Sequence, residues 1–248
     1  MNAIAAAAAW DAAAAQRACA LLTSSPQERA RLLFFQDNSL HDRRAHSADA
    51  LRAQLAESPI QTAVALAYTC PAERGLSASG SFATPRYSVT ALAGTIANLR
   101  PLRKHMIASG WLDQGADEDA VVAALVDFYL RKAKQPLDAV RAALRKLQGA
   151  FAIAVIVPDS PASTFVASKN LNVLVGFVDG AACALSDARM RPSGAELAPL
   201  QADDVAILTP RQIVLTDFDG MQIVKHSRSA PLFELSLPAG QTNADARA

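Results

Sequence analysis

Apolar positions recur at helical spacing through the middle of the chain and gather into short runs towards its end. Val121, Leu125 and Tyr129 form one ridge, with Val122, Val126 and Leu130 beside it, so this stretch predicts an amphipathic helix with one face inward. Leu137, Val140, Leu144 and Leu147 repeat the spacing behind Pro136, a residue suited to the first helical turn, and Gly149 predicts the stop. Further upstream, Ser47 offers an N-cap to a short helix that carries Leu51 and Leu55 one turn apart. Alanine propensity predicts a helix over 12–22, and another over 98–109 ends at Gly110.

Strands are predicted over 31–35, 62–69 and 88–93, although 27–30 could instead extend a helix. A stretch dense in Ser, Gly, Ala and Pro, 70–86, reads as a loop. After Gly149 the pattern changes. Apolar runs at 151–157, 164–168, 173–177, 182–185, 204–209, 212–216 and 222–225 are separated by turn residues, with Asp219-Gly220 marking a hairpin. Strands so spaced, without helices between them, predict antiparallel meanders. The expectation is one α+β domain over 1–230, followed by a polar, frayed tail over 231–248.

Composition narrows the function classes. The 248 residues are 51% apolar and 19% charged, and can bury a substantial core. The formal net charge is +1 and basic residues are scattered, so neither nucleic acid nor an anionic membrane is an expected partner. The alanine-rich start lacks a basic flank and Trp10-Asp11 interrupts it. No run reaches the roughly 20 apolar residues that span a bilayer, and a cytoplasmic location is expected. Cys19, Cys70 and Cys183 form neither a disulfide framework nor a metal pair, and His41, His46, His105 and His226 lack ligand spacing. No metal or other cofactor is expected.

Several short segments carry more information. Gly94-Thr95-Ile96-Ala97-Asn98, followed by Pro101-Leu102-Arg103, resembles the His-Asn-Gly-Ile-Ile-Glu-Asn…Leu-Arg stretch of class II glutamine amidotransferases, above all the glutaminase domain of glucosamine-6-phosphate synthase. Ala116-Asp117-Glu118-Asp119 is similar to that family's Thr-Asp-Thr-Glu turn, and Leu147-Gln148-Gly149-Ala150-Phe151 to its Leu-x-Gly-Ala-Tyr junction. Phe165-Val166-Ala167-Ser168 through Leu174-Val175-Gly176 resembles Ala-Ala-Arg…Pro-Leu-Val-Ile-Gly. Leu185-Ser186-Asp187-Ala188 resembles Ala-Ser-Asp-Ala, and 203–209 resembles Glu-Gly-Asp-x-Ala-x-Leu-Thr. Upstream, Ala67-Tyr68-Thr69-Cys70-Pro71-Ala72-Glu73-Arg74-Gly75 falls where the family has Ala-His-Thr-Arg-Trp-Ala-Thr-His-Gly, and Met1-Asn2-Ala3-Ile4 where it has Met-Cys-Gly-Ile. The matches keep the family's order. The resemblance implies the N-terminal-nucleophile fold, a four-layer αββα sandwich of two antiparallel sheets between helical layers.

It also implies a chemistry that this chain does not support. Such glutaminases attack the glutamine amide with an N-terminal cysteine thiolate, whose own α-amine, titrating near pH 8, serves as base. The matching residue here is Asn2, and a carboxamide is no nucleophile. The family's oxyanion hole uses an asparagine side chain and the next glycine's backbone; Ala93 and Gly94 stand there, and losing one such donor costs about 100- to 1,000-fold in rate. The arginine that grips the substrate carboxylate matches Cys70, which cannot make a bidentate ion pair. Pro71, Glu73 and Arg74 replace the adjoining tryptophan, threonine and histidine.

Asp117 matches the acidic residue that holds the substrate amine, but a helix N-cap accounts for it as well. Gly94 could equally serve a backbone turn, and Arg74 could bind a carboxylate from a shifted position or lie solvated. Cys70 is the one candidate for a relocated nucleophile. The resemblance therefore implies an inactive glutaminase homologue that acts by binding, with an amidotransferase or synthase subunit or a small amino-acid-like ligand as partner. The alternative is an amidohydrolase working through Cys70.

Overall fold

A computed structural model describes residues 3–22, 28–36, 39–71, 88–115 and 118–218. The first strand, β1 (Ile4–Ala8), is almost all alanine, a residue with little preference for strands. Its extended form is imposed by pairing on both sides, since Ile4 lies opposite Tyr68 and Ala5 opposite Leu185. All five residues are buried. Small side chains suit a strand with another layer packed on each face.

Around β1 a seven-stranded antiparallel sheet forms, with β2 (Glu28–Gln36), β3 (Ser39–Ala45), β4 (Val64–Pro71), β8 (Val173–Val178), β9 (Ala181–Leu185) and β10 (Leu197–Leu200). The order is β10-β8-β9-β1-β4-β2-β3, so the chain's first strand is the middle one. A second antiparallel sheet runs β12-β11-β7-β6-β5. It contains β5 (Val89–Ile96), β6 (Gly149–Ile156), β7 (Thr164–Lys169), β11 (Asp204–Leu208) and β12 (Ile213–Asp217).

Three apolar clusters define four layers. Helices α1 (Ala14–Leu21) and α2 (Ala48–Glu57) cover the outside of the larger sheet, where Cys19, Leu51, Leu32, Ala5 and Ala7 meet. Between the sheets lie Ile4, Ala6, Leu33, Leu66, Tyr68, Ala93, Ala154 and Val166. Helices α3 (Leu99–Ala108), α4 (Glu118–Leu130) and α5 (Pro136–Leu144) cover the smaller sheet through Met106, Val121, Leu144, Phe151 and Ile153. This is the expected αββα sandwich.

Local expectations held where the signal was local. Ser47 Oγ accepts the Ala50 N–H at 3.1 Å and caps α2, and Pro136 opens α5. Two corrections follow from packing. Helix α4 does not bury one face only: 120–127 are buried throughout, because α3 and α5 flank it while β5 lies beneath. Residues 28–30 join β2 and not a helix, held by their ladder with β4. The strands after Gly149 do form antiparallel meanders, divided between the sheets: β6, β7, β11 and β12 pair in the smaller and β8–β10 in the larger. The 222–225 strand, the Asp219-Gly220 turn and the 231–248 tail lie outside the described residues.

Strand directions bring one end of the sandwich together. β1 begins where β4 and β9 finish, because both ladders are antiparallel. Only 170–172 separate the end of β7 from the start of β8, so the two sheets meet there. The end of β5 and the starts of β2 and β6 share this end through their own antiparallel ladders. It is called the near end below.

Candidate functional site

At the near end the chain's first described residues are clamped from both sides. Ala3 N–H donates to Thr69 Oγ1 at 3.0 Å, and Thr69 N–H donates back to the Ala3 carbonyl at 2.9 Å. Ile4 N–H donates to Ser186 Oγ at 2.8 Å, and Ser186 N–H returns a 3.0 Å bond to the Ile4 carbonyl. Two hydroxyls, one from β4 and one from just past the end of β9, thus fix where the chain enters the sheet. Beside them Asp187 accepts from the Arg189 backbone and side chain, and this partner holds its carboxyl below the usual range.

Gly94 sits within β5 at φ +93°. A Cβ there would lie 2.3 Å from the Ala150 carbonyl oxygen and 2.7 Å from Leu171 Cδ1, so glycine is required by backbone conformation and by close approach. That requirement accounts for the residue without a ligand. Its neighbour Ala93 is buried between the sheets.

Cys70 lies on β4 directly across from Arg29. Asn2, Arg74 and Asp117 lie outside the described residues, though Asp117 precedes the first residue of α4 in sequence. The structure therefore brings Gly94 to the near end with the start of β1 and the end of β4, and places none of the other candidate side chains.

The remaining cysteines are core residues. Cys19 and Cys183 are both buried and free, and burial pushes each thiol up to about 12, so neither carries appreciable thiolate at neutral pH. No cluster of three or more His, Cys, Asp or Glu side chains could hold a metal among the described residues. No helix among them is long and apolar enough to cross a membrane.

One carboxyl is perturbed at the wrong end. Burial raises Asp127 to about 7, opposed by a 2.8 Å bond from the Ser88 N–H. Ser88 enters β5 six positions before Gly94, about 20 Å away along an extended strand, so Asp127 is a feature of the far end. Arg31, by contrast, was missed by the sequence reading. Buried on β2, it donates through Nε and one terminal nitrogen to Asp42, both at 2.7 Å, and through the other to Tyr68 Oη at 2.9 Å. Thr69 and Ser186 stood inside the quoted motifs without an assigned role. Their meaning depends on partners 66 and 182 residues away.

No family model matches the chain. Its sequence is similar to glutamine–fructose-6-phosphate aminotransferases: 31% identical over 153 residues to that of Gluconobacter oxydans, covering 61% of this chain and 24% of the relative. The Thermosynechococcus vestitus protein of that name is 34% identical over 140 residues (55% and 22%). The Zymomonas mobilis protein matches at 27% over 238 residues (87% and 39%). The chain thus spans well under half the length of these relatives.

Among solved structures, glutamine phosphoribosylpyrophosphate amidotransferase of B. subtilis shares the fold at a TM-score of 0.68 and 14% identity, over 88% of this chain and 49% of that one. A glutamine aminotransferase class-II domain protein of Silicibacter pomeroyi gives 0.58 and 13%, over 87% and 99%. Fold and sequence are both similar to class II glutamine amidotransferase domains. In sequence the similarity is to the glucosamine-6-phosphate synthase group.

Proposed function

We propose that the chain is a catalytically silent class II glutaminase homologue that acts by binding, either to an amidotransferase or synthase subunit or to a small amino-acid-like ligand. The observation that carries this reading is a kept frame around replaced chemistry. The entry of β1 is clamped by Thr69 and Ser186, yet Asn2, Ala93 and Cys70 stand where the family uses a nucleophilic thiol, an oxyanion donor and a carboxylate-gripping arginine. A carboxamide cannot attack an amide, and a methyl cannot stabilise an oxyanion.

The test is glutamate release from glutamine by the purified chain beside its Asn2→Cys form. Silence from the natural chain supports the reading, and turnover by it would sink the reading. A second reading, hydrolysis through a relocated thiol, has one observation in its favour. Cys19 and Cys183 are locked in the core, so any thiol chemistry falls to Cys70. Turnover abolished by Cys70→Ala would establish it.

A further inference from the structure

We propose that the corner where α3 and α4 end is a docking surface for a partner protein whose contacting face carries carboxylates. This rests on the partner-protein arm of the reading above. Trp111 turns back onto the end of α3, its N–H donating to the Met106 carbonyl at 2.9 Å. Phe128 and Tyr129 lie in the last turn of α4, and all three rings are half-buried against the helical layer of the smaller sheet. Trp111 meets Phe128 edge to face at 5.7 Å and 85°, and Phe128 meets Tyr129 likewise at 5.2 Å and 81°. Arg131, Lys132 and Lys134 follow directly and are exposed. Arg131 Cζ lies 4.5 Å from the Trp111 ring centroid, and Lys132 Nζ lies 4.2 Å from that of Phe128.

Charge decides what fits this corner. Cations elsewhere on the chain meet carboxylates: Arg17 meets Asp11, Arg44 meets Asp42 and Arg189 meets Asp187. Among the described residues Arg131, Lys132 and Lys134 meet none. The dipole at the end of α4 favours a cation there, but three over 131–134 leave an excess of positive charge. Nine Lys and Arg stand against six Asp and Glu over 98–148, so this layer is more basic than the chain as a whole, at +1. One of the six, Asp127, is buried against β5 and offsets nothing at the surface.

Aromatic rings with an arginine are the residues that anchor protein interfaces. A cation already resting on a ring has less freedom to lose when a carboxylate arrives. Nucleic acid fits less well, because successive bases need flat ring faces side by side. These rings stand nearly perpendicular, and Trp111 and Phe128 each have a face under a cation. The corner adjoins Asp127 and Ser88 at the far end, so a protein held there does not compete with the near end.

The chain has two tryptophans, Trp10 and Trp111, so in a Trp10→Phe form fluorescence reports on the corner alone. The full chain in this form is titrated with three probes at about 0.15 M salt. One is a helical peptide of about 20 residues, with leucines along one face and glutamates flanking them. The second has lysine in place of glutamate, and the third is oligothymidine of about 16 nucleotides. The glutamate peptide should bind and shift the Trp111 emission, with the other two weaker by about tenfold or more. Arg131→Gln together with Lys132→Gln should weaken the glutamate peptide by about ten- to a hundredfold. Arg145→Gln together with Lys146→Gln removes the same charge from exposed positions at the end of α5, and should change affinity by about twofold at most. All four side chains but Arg145 and Lys146 belong to the corner, and a melting curve checks that each variant folds.

Equal losses in the two double variants reduce the effect to net charge and overturn the corner. Oligothymidine binding more tightly than the glutamate peptide overturns the protein class in favour of nucleic acid. A lysine peptide that binds as tightly as the glutamate peptide overturns the acidic partner. No emission shift with any probe at millimolar concentration overturns the surface altogether. None of these outcomes bears on glutamate release, which separately tests catalytic silence.

Discussion

Ser186 and Ile4 are 182 residues apart, and the Ser186 hydroxyl oxygen accepts the Ile4 N–H at 2.8 Å. On the opposite flank Thr69 does the same for Ala3 at 3.0 Å. Each hydroxyl satisfies a backbone donor where the chain enters the middle of a sheet. Removing the hydroxyl while keeping the shape leaves that donor without a partner in surroundings water reaches poorly. Thr69→Val should cost about 1–3 kcal/mol and Ser186→Ala, at a less buried position, about 1 kcal/mol, read as shifts in the urea midpoint. Midpoints unchanged in both would mean that the flanking ladders alone hold β1.

Gly94 makes a sharper demand. Any side chain there combines a left-handed backbone with a Cβ 2.3 Å from the Ala150 carbonyl oxygen. Relief requires β5 and β6 to separate where they pair through Gly94 and Phe151. Gly94→Ala should therefore destabilise the fold by about 2 kcal/mol or more. The same change at Gly110, also left-handed but with nothing near its Cβ, should cost less, about 1 kcal/mol. Equal losses at the two sites would show that conformation alone, and not the close approach, sets the cost at Gly94.

The contrast with what was legible in the sequence is physical. Ser47 capping α2 and Pro136 opening α5 involve neighbours a few residues away, and both were readable. β1 was not, because Ile4 and four alanines carry neither strand propensity nor alternation; only the flanking β4 and β9 make them a strand. β3 was missed for a different reason. It is an edge strand whose Asp42, Arg43 and Arg44 break any apolar pattern, and Asp42 is drawn in by Arg31 from the adjacent strand.

At the candidate site the family resemblance located Ala93, Gly94 and Cys70 on the strands that meet at the near end. The hydroxyl clamps needed the register between distant strands, since Thr69 and Ser186 meet Ala3 and Ile4 across 66 and 182 residues.

The two core thiols offer a chemical check on burial. Cys19 and Cys183 are each about 1% exposed or less, with thiols raised to about 12. Under native conditions at pH 8, iodoacetamide should leave both unmodified, and denaturant should expose both together, as mapped by mass spectrometry of peptides. Native modification of Cys183, on β9 beside β1, would show that the larger sheet opens locally at its centre.

Asp127 supplies the pH dependence. It is 1% exposed, its Oδ1 accepts the Ser88 N–H, and its Oδ2 has no partner among the described residues. Its carboxyl sits at about 7 in the fold, against 3.8 for a free side chain. The folded protein therefore binds the proton more tightly than the unfolded chain between these values. Stability falls as pH rises through that window, and the whole penalty of an ionised, buried carboxylate is present above about pH 7. The contribution is at most about 4 kcal/mol. Asp127→Asn keeps an oxygen for the Ser88 N–H and removes the ionisation. The variant should lose much less stability than the natural chain between about pH 5 and about pH 8, which takes in the upper part of the window, measured by urea unfolding at both. Parallel losses would assign the dependence to another group, and Asp127 would then be a carboxyl that stays neutral or finds water for its second oxygen.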